Sequence, residues 1–170
     1  MLRLFTPKLY CNSVLDLDAP LLHSLGLKGL LLDVDGTLKD FRAESIPAEV
    51  CAWLTRLRSD GFKLCLLSNG RGHRIGRVAA ALDLPFIAKA FKPLPMGCRR
   101  ALKQMGLERS RVAMVGDQVF ADVMAGRLAG LFTILVPPTS RDEPWFTRLK
   151  RPLESLTLRY LKLQPKVPVL

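Results

Sequence analysis

The stretch that decides the fold is Gly29-Leu30-Leu31-Leu32-Asp33-Val34-Asp35-Gly36-Thr37-Leu38-Lys39-Asp40. A short uncharged run ends in two aspartates one residue apart, with a glycine and a threonine directly behind them. A continuous apolar run bounded by turn residues reads as a strand buried on both faces, as in a parallel sheet. Carboxylates at the end of such a strand are costly to desolvate. Two of them in that position point to a partner charge.

Outward from this stretch the same grammar repeats. Strands are expected at 29–34, 63–68, 86–90, 112–116 and 131–136, with helices between them at 47–59, 71–82, 95–106 and 118–129. Pro47 and Pro95 suit the first turns of helices, and Gly61, Gly106 and Gly130 sit just past their ends. A shorter helix, 19–25, has Asp18 as its cap and Gly26 as its stop. Strands alternating with helices of this length imply an α/β fold, a three-layer Rossmann-like parallel sheet with helices on both faces. We expect one domain over 1–170, with a core at about 13–154 and a basic C-terminal segment at 141–170.

In open α/β sheets ligands bind beyond the carboxyl ends of the strands. The residues there are Asp33 and Asp35, then Ser68 and Asn69, then Lys92, then Gly116 and Asp117, with Asp122 on the following turn. Two carboxylates about 4 Å apart repel by about 4 kcal/mol at an effective dielectric of 20. A crowd of them takes up protons or holds a cation, and an all-oxygen set without His or Cys selects a hard ion such as Mg²⁺. Lys92, the Ser68 hydroxyl and main-chain N–H groups in the turns at Gly36-Thr37 and Asn69-Gly70 add positive character suited to phosphate. In that setting one aspartate can attack phosphorus, and a second carboxyl can trade protons with the leaving alcohol and with water.

These residues resemble the four motifs of the haloacid-dehalogenase-like superfamily of phosphotransferases. The first motif stands as Asp33-Val34-Asp35-Gly36-Thr37, the second as a strand ending in Ser68, the third as Lys92 and the fourth as Gly116-Asp117 through Asp122. The resemblance implies that Asp33 is the nucleophile and Asp35 the general acid/base. It implies Mg²⁺ held by Asp33, the Asp35 carbonyl and Asp117, with Asp122 assisting, and a phosphoryl group bound by Ser68 and Lys92; the turns at Gly36, Thr37 and Asn69 are expected to add their amides. Members often carry a cap domain between these motifs. Here segments 34–67 and 69–91 each have room for little more than one helix, so no cap is expected.

Longer stretches, among them SVLDLDAPLLHSLGLKGLLLDVDGTL, FKPLP, VGDQVFADVMAG and RPLE, are similar to the YqeG-like branch of that superfamily. That branch includes phosphatidylglycerophosphate phosphatases. Two positions depart from its pattern: Ala121 stands where Thr is expected, and Arg127 where Asn is expected. The resemblance implies hydrolysis of phosphatidylglycerophosphate to phosphatidylglycerol. The alternatives are another large or soluble phosphoester (a nucleotide, a nucleic-acid end, a phosphoprotein) or an idle basic binding module.

Charge bears on the partner. Lys and Arg number 26 against 15 Asp and Glu, a net charge of +11, which favours an anionic partner. An anionic phosphoester, a phospholipid head group, fits this surplus, and no nucleic acid is expected. Basic residues interleave with apolar ones from Arg141 to Lys166, a pattern that suits a helix on an anionic membrane or one docked on the sheet. Arg71, Arg74 and Arg77 cluster near the expected cleft mouth, where a head-group role is open, and His73 reads as exposed. Four scattered cysteines without CxxC spacing argue against structural zinc or a disulfide framework and for a reducing compartment. The expected location is cytoplasmic, with peripheral contact at the inner face of a membrane. The basic start, acid-free until Asp16, leaves an organelle-targeting segment open. Oligomeric state is not legible.

Overall fold

A computed structural model of the chain describes residues 4–140 and 151–160. Six parallel strands form one sheet: β1 (Leu9–Tyr10), β2 (Gly29–Leu32), β3 (Lys63–Leu67), β4 (Phe86–Ile87), β5 (Val112–Gly116) and β6 (Phe132–Leu135). Their spatial order is β1-β6-β5-β2-β3-β4, which puts β2 between β3 and β5. Around the sheet lie α1 (Ala19–Ser24), α2 (Ala48–Ser59), α3 (Gly72–Leu82), α4 (Met96–Met105), α5 (Met124–Ala129) and α6 (Arg151–Tyr160).

The apolar runs divide between two faces as the pleat requires. Leu30, Leu32, Leu64 and Leu66 pack with Leu22, Trp53, Leu57, Ile75 and Val78 from α1, α2 and α3. Leu31, Cys65, Leu67 and Met114 face the other way, onto Cys98, Ala101 and Met105 of α4 and Ala125 and Ala129 of α5. The central strands β2, β3 and β5 are therefore buried on both sides, which is why β2 could be read as a run of leucines without alternation. The expected three-layer α/β class is the observed one.

The expected helices stand within a residue or two of their bounds, and the punctuation works as read. Asp18 Oδ1 accepts the Leu21 N–H at 2.9 Å, and Gly106 and Gly130 close α4 and α5 with φ of 61° and 78°. Three features differ. The edge strand β1 has only two residues, too short to show a pattern. The strand expected at 86–90 stops after Ile87, because Lys89 and Phe91 adopt positive φ and turn the chain back toward the cleft. The helix expected at 118–129 begins as a π-helical turn, Val119–Val123, before α5.

Between β2 and β3 the chain forms a turn and α2; between β3 and Lys92 it forms α3 and β4. Both segments lie wholly within the described residues, and neither contains a cap. Of the basic segment 141–170, only α6 lies within the described residues. It docks through Glu154, which is buried and accepts the Phe120 N–H at 3.2 Å, and through Leu158 against Val119, Val123 and Leu135. Leu153, Leu156 and Tyr160 are exposed, so among the leucines of this helix Leu158 makes the contact with the core. No helix among the described residues is long and apolar enough to cross a membrane.

Candidate active site

The central strands deliver the chemistry. The Asp33 N–H continues the β2–β5 ladder by donating to the Val115 carbonyl at 3.0 Å, so the first aspartate leaves the sheet beside the end of β5. Asp117 follows directly on β5. Asp33, Asp117 and Asp122 each bring a carboxylate oxygen to within 4.8 Å of the others, and all three are buried. The π turn explains Asp122. Its wider winding, with the Val123 and Asp122 N–H groups both donating to the Gln118 carbonyl, carries that side chain back over the sheet. There Asp122 Oδ2 accepts the Gln118 N–H at 3.0 Å. Gly116 has to be glycine, because a Cβ would overlap the Asp122 carboxyl.

Lys92 fills the centre. Its Nζ donates to Asp33 Oδ1, to Asp122 Oδ1 at 2.7 Å and to the Leu67 carbonyl at 3.2 Å. Burial opposes its charge, yet Asp122 and Asp33 together more than offset this, and the ammonium pKa lies above its usual value. Burial acts the other way on Asp33. It raises the pKa to about 8; Lys92 pulls it down, while Asp122 and Asp117 push it further up. Three buried carboxylates and one ammonium leave an excess of negative charge. An all-oxygen set in that state fits a hard divalent cation such as Mg²⁺.

Asn69 holds Lys92 from outside. Its amide oxygen accepts the Lys92 N–H at 2.8 Å, and its amide nitrogen donates to the Lys92 carbonyl at 3.0 Å. That side chain is committed to the lysine, so a phosphate would meet the main chain here. Ser68 is buried, and its Oγ accepts the Gly70 N–H at 3.0 Å, which leaves the hydroxyl hydrogen to point toward an anion.

The turn after β2 has a different task from the one expected. The Gly36 N–H donates to the Lys39 carbonyl at 2.7 Å and the Thr37 N–H to the Val34 carbonyl at 3.3 Å. Those amides serve the turn. Thr37 Oγ1 lies 3.1 Å from Asp117 Oδ1 and 3.3 Å from Asp33 Oδ2, tying the two carboxylates together. Gly36 has φ of 89°, and a Cβ there would come within 2.9 Å of both Asp117 Oδ2 and the Phe41 ring. Both residues position the site.

Asp35 stands apart from the three clustered carboxylates. Its side chain pairs with Arg74 on one oxygen and with Lys39 at 3.0 Å on the other. The Lys39 contact is an ion pair not aligned as a hydrogen bond, so the enclosed Oδ1 has no hydrogen-bond donor among the described residues. Lys39 escaped the sequence reading. It is almost completely buried, and its Nζ also donates to the Asp40 and Ala43 carbonyls at 3.0 and 2.7 Å. The available signal was its spacing of four residues from Asp35 in DGTLK. Arg71 and Arg74 line the cleft above Asp33 and Lys92 with Phe41, Pro93 and Phe120, around a volume of about 560 Å³, and His73 is exposed. Ala121 also lines this cleft.

The class follows. Residues 41–130, more than half of the chain, match the model of the haloacid dehalogenase-like hydrolases. The chain belongs to that family, and it is an enzyme of the phosphatase class. It is 29% identical to "Probable phosphatase YqeG" of Bacillus subtilis, over 94% of this chain and 93% of that one. It is also 29% identical to the chloroplastic phosphatidylglycerophosphate phosphatase 1 of Chlamydomonas reinhardtii, covering 87% of this chain but 59% of that longer one. Among solved structures, the cobalt-bound deoxy-D-mannose-octulosonate 8-phosphate phosphatase of Haemophilus influenzae superposes with a TM-score of 0.56. Its identity is 18%, over 79% of this chain and 89% of that one, so the likeness is one of fold.

Proposed function

We propose that this chain is a Mg²⁺-dependent phosphomonoesterase that works through an aspartyl-phosphate on Asp33, and that its substrate is phosphatidylglycerophosphate. The observation that carries the chemistry is the buried Asp33–Lys92–Asp122 contact beside Asp117 at the floor of an open cleft. The lipid assignment draws its support from the similarity to the Chlamydomonas phosphatase and from the absence of a cap over the cleft.

In this reading an Asp33 oxygen attacks phosphorus while Lys92 and Ser68 hold the phosphoryl oxygens. The bond from phosphorus to the glycerol oxygen breaks, and the Asp35 carboxyl gives its proton to that oxygen. The Asp35 carboxylate then takes a proton from water, the water oxygen bonds to phosphorus, and the bond to Asp33 breaks. Inorganic phosphate leaves with Asp33 restored. Asp33, Asp117 and the Asp35 carbonyl, with Asp122 assisting, would hold Mg²⁺, which would supply positive charge to offset that of the phosphoryl oxygens. Thr37 and Asn69 fix the carboxylates and Lys92 in place, and Gly36 admits Asp117 to the turn.

The chain is read as one domain that meets the membrane peripherally from the cytoplasmic side. The basic surplus and the exposed Leu153, Leu156 and Tyr160 of α6 favour such contact. The direct test is phosphate release from phosphatidylglycerophosphate and from a panel of soluble phosphoesters, with Mg²⁺ and with chelator. Release from the lipid should require Mg²⁺ and vanish in Asp33→Asn. Turnover confined to soluble esters would remove the lipid and keep the enzyme class.

A further inference from the structure

A second cavity of about 550 Å³ lies against the catalytic cleft, and Phe41 and Arg74 belong to the walls of both. Its inner wall is apolar: Val78 and Leu82 from α3 face it, with Ile46 from the chain before α2. Arg42 and Arg77 join Arg74 in its lining. Arg74 and Lys39, both in the lining, share the single Asp35 carboxylate, and Arg42 and Arg77 make no ion pair among the described residues. Glu44 is the acidic side chain of the lining, so the two arginines leave a positive excess. Guanidinium groups bind phosphate oxygens in pairs and prefer them to water when the surroundings are partly apolar.

We propose that this cavity is the subsite for the alcohol half of the substrate, and that it takes an acyl-glycerol phosphodiester. The phosphodiester anion sits against Arg42 and Arg77, and the first methylenes of the acyl chains lie on Val78 and Leu82. The inference rests on the lipid reading above and adds what the reaction centre lacks, a means of recognising the leaving group. A phosphoester with a second anion and an apolar tail bridges both cavities past Phe41; a small phosphoester fills only the first.

Cys51 supplies a reporter. It lines this cavity and is half-buried, whereas Cys11, Cys65 and Cys98 are fully buried. Burial pushes Cys11 up to about 11 and Cys65 and Cys98 up to about 12, so those three remain thiols in ordinary buffers. Alkylation of Cys51 by N-ethylmaleimide should therefore be slowed by dibutanoyl phosphatidylglycerol, which carries the phosphodiester and no phosphate to lose. Protection should be lost in Arg42→Ala/Arg77→Ala. The same double variant should lower kcat/KM for short-chain phosphatidylglycerophosphate by about tenfold or more, and for p-nitrophenyl phosphate by less than about twofold. Equal losses on both substrates, an unprotected Cys51, or equal protection by inorganic phosphate would each overturn the subsite. Protection of Cys51 without any lipid hydrolysis would leave the subsite standing and refute the proposed substrate instead.

Discussion

Asp33 carries opposite demands in one side chain. In the proposed role of nucleophile it must be an anion, yet burial and two neighbouring carboxylates hold its pKa at about 8 against the pull of Lys92. In cation-free protein the folded state therefore keeps a proton that the unfolded chain releases near the ordinary carboxyl value of 3.8. Between those two values the native state binds more protons, so stability falls as pH rises. Chemical denaturation of chelator-treated protein at pH 5, 6.5 and 8 should show this as a difference between wild type and Asp33→Asn of up to about 1 kcal/mol per pH unit. Parallel curves for the two proteins would refute it. Added Mg²⁺ should stabilise the wild type more at pH 8 than at pH 5, because cation and proton compete for the same carboxylate.

The turn from Asp35 to Lys39 is a small element whose role is geometric. Its main-chain bridge joins residues 35 and 39, and the buried Lys39 ammonium fastens it to the Asp40 and Ala43 carbonyls. Lys39→Met should cost about 3 kcal/mol, since it strips a partner from the enclosed Asp35 and from two carbonyls. It should also lower kcat for p-nitrophenyl phosphate several-fold, since Asp35 loses the contact that orients it, leaving KM nearly unchanged. A loss of stability with an unmoved kcat would make Lys39 purely structural. This element also shows where sequence reading stops. The strand, the carboxylates and the glycine were legible, because apolar runs and turn residues follow from local chemistry. The hydrogen-bond partners of Gly36, Thr37 and Lys39 were not, because they depend on which way a five-residue turn folds back. The π turn at Val119–Val123 escaped for a related reason: a helix that gains one residue per turn has the same composition as one that does not.

At the scale of the whole molecule, chain order and sheet order disagree in a useful way. β2 is flanked by β3 and β5, so motifs far apart in sequence meet at neighbouring strand ends; Thr37 and Asp117 touch across 80 positions. The parallel sheet and both helical layers were readable from the alternation of runs. The site was readable because polar residues ended several of those runs at once, whereas the second cavity was not, being made where α3 meets the chain before α2. The net charge of +11 and the exposed leucines of α6 act at this scale too. The protein should float with vesicles rich in phosphatidylglycerol at low salt and separate from them as ionic strength rises past about 0.5 M, where screening is short-ranged. Flotation with neutral phosphatidylcholine vesicles to the same extent would assign the attachment to the apolar residues alone.

Thr37 has one hydroxyl hydrogen and two carboxylate neighbours, Asp33 Oδ2 and Asp117 Oδ1. It is a rotor with two stops. When Asp33 is phosphorylated in the proposed cycle, the acyl phosphate makes its carboxyl oxygens weaker acceptors and would favour the hydroxyl hydrogen on Asp117; hydrolysis of the acyl phosphate would restore the choice. The buried charge is rebalanced by a turn about one C–O bond, with no side chain displaced. Thr37→Ser should keep that rotor, and Thr37→Val, equal in volume, should jam it.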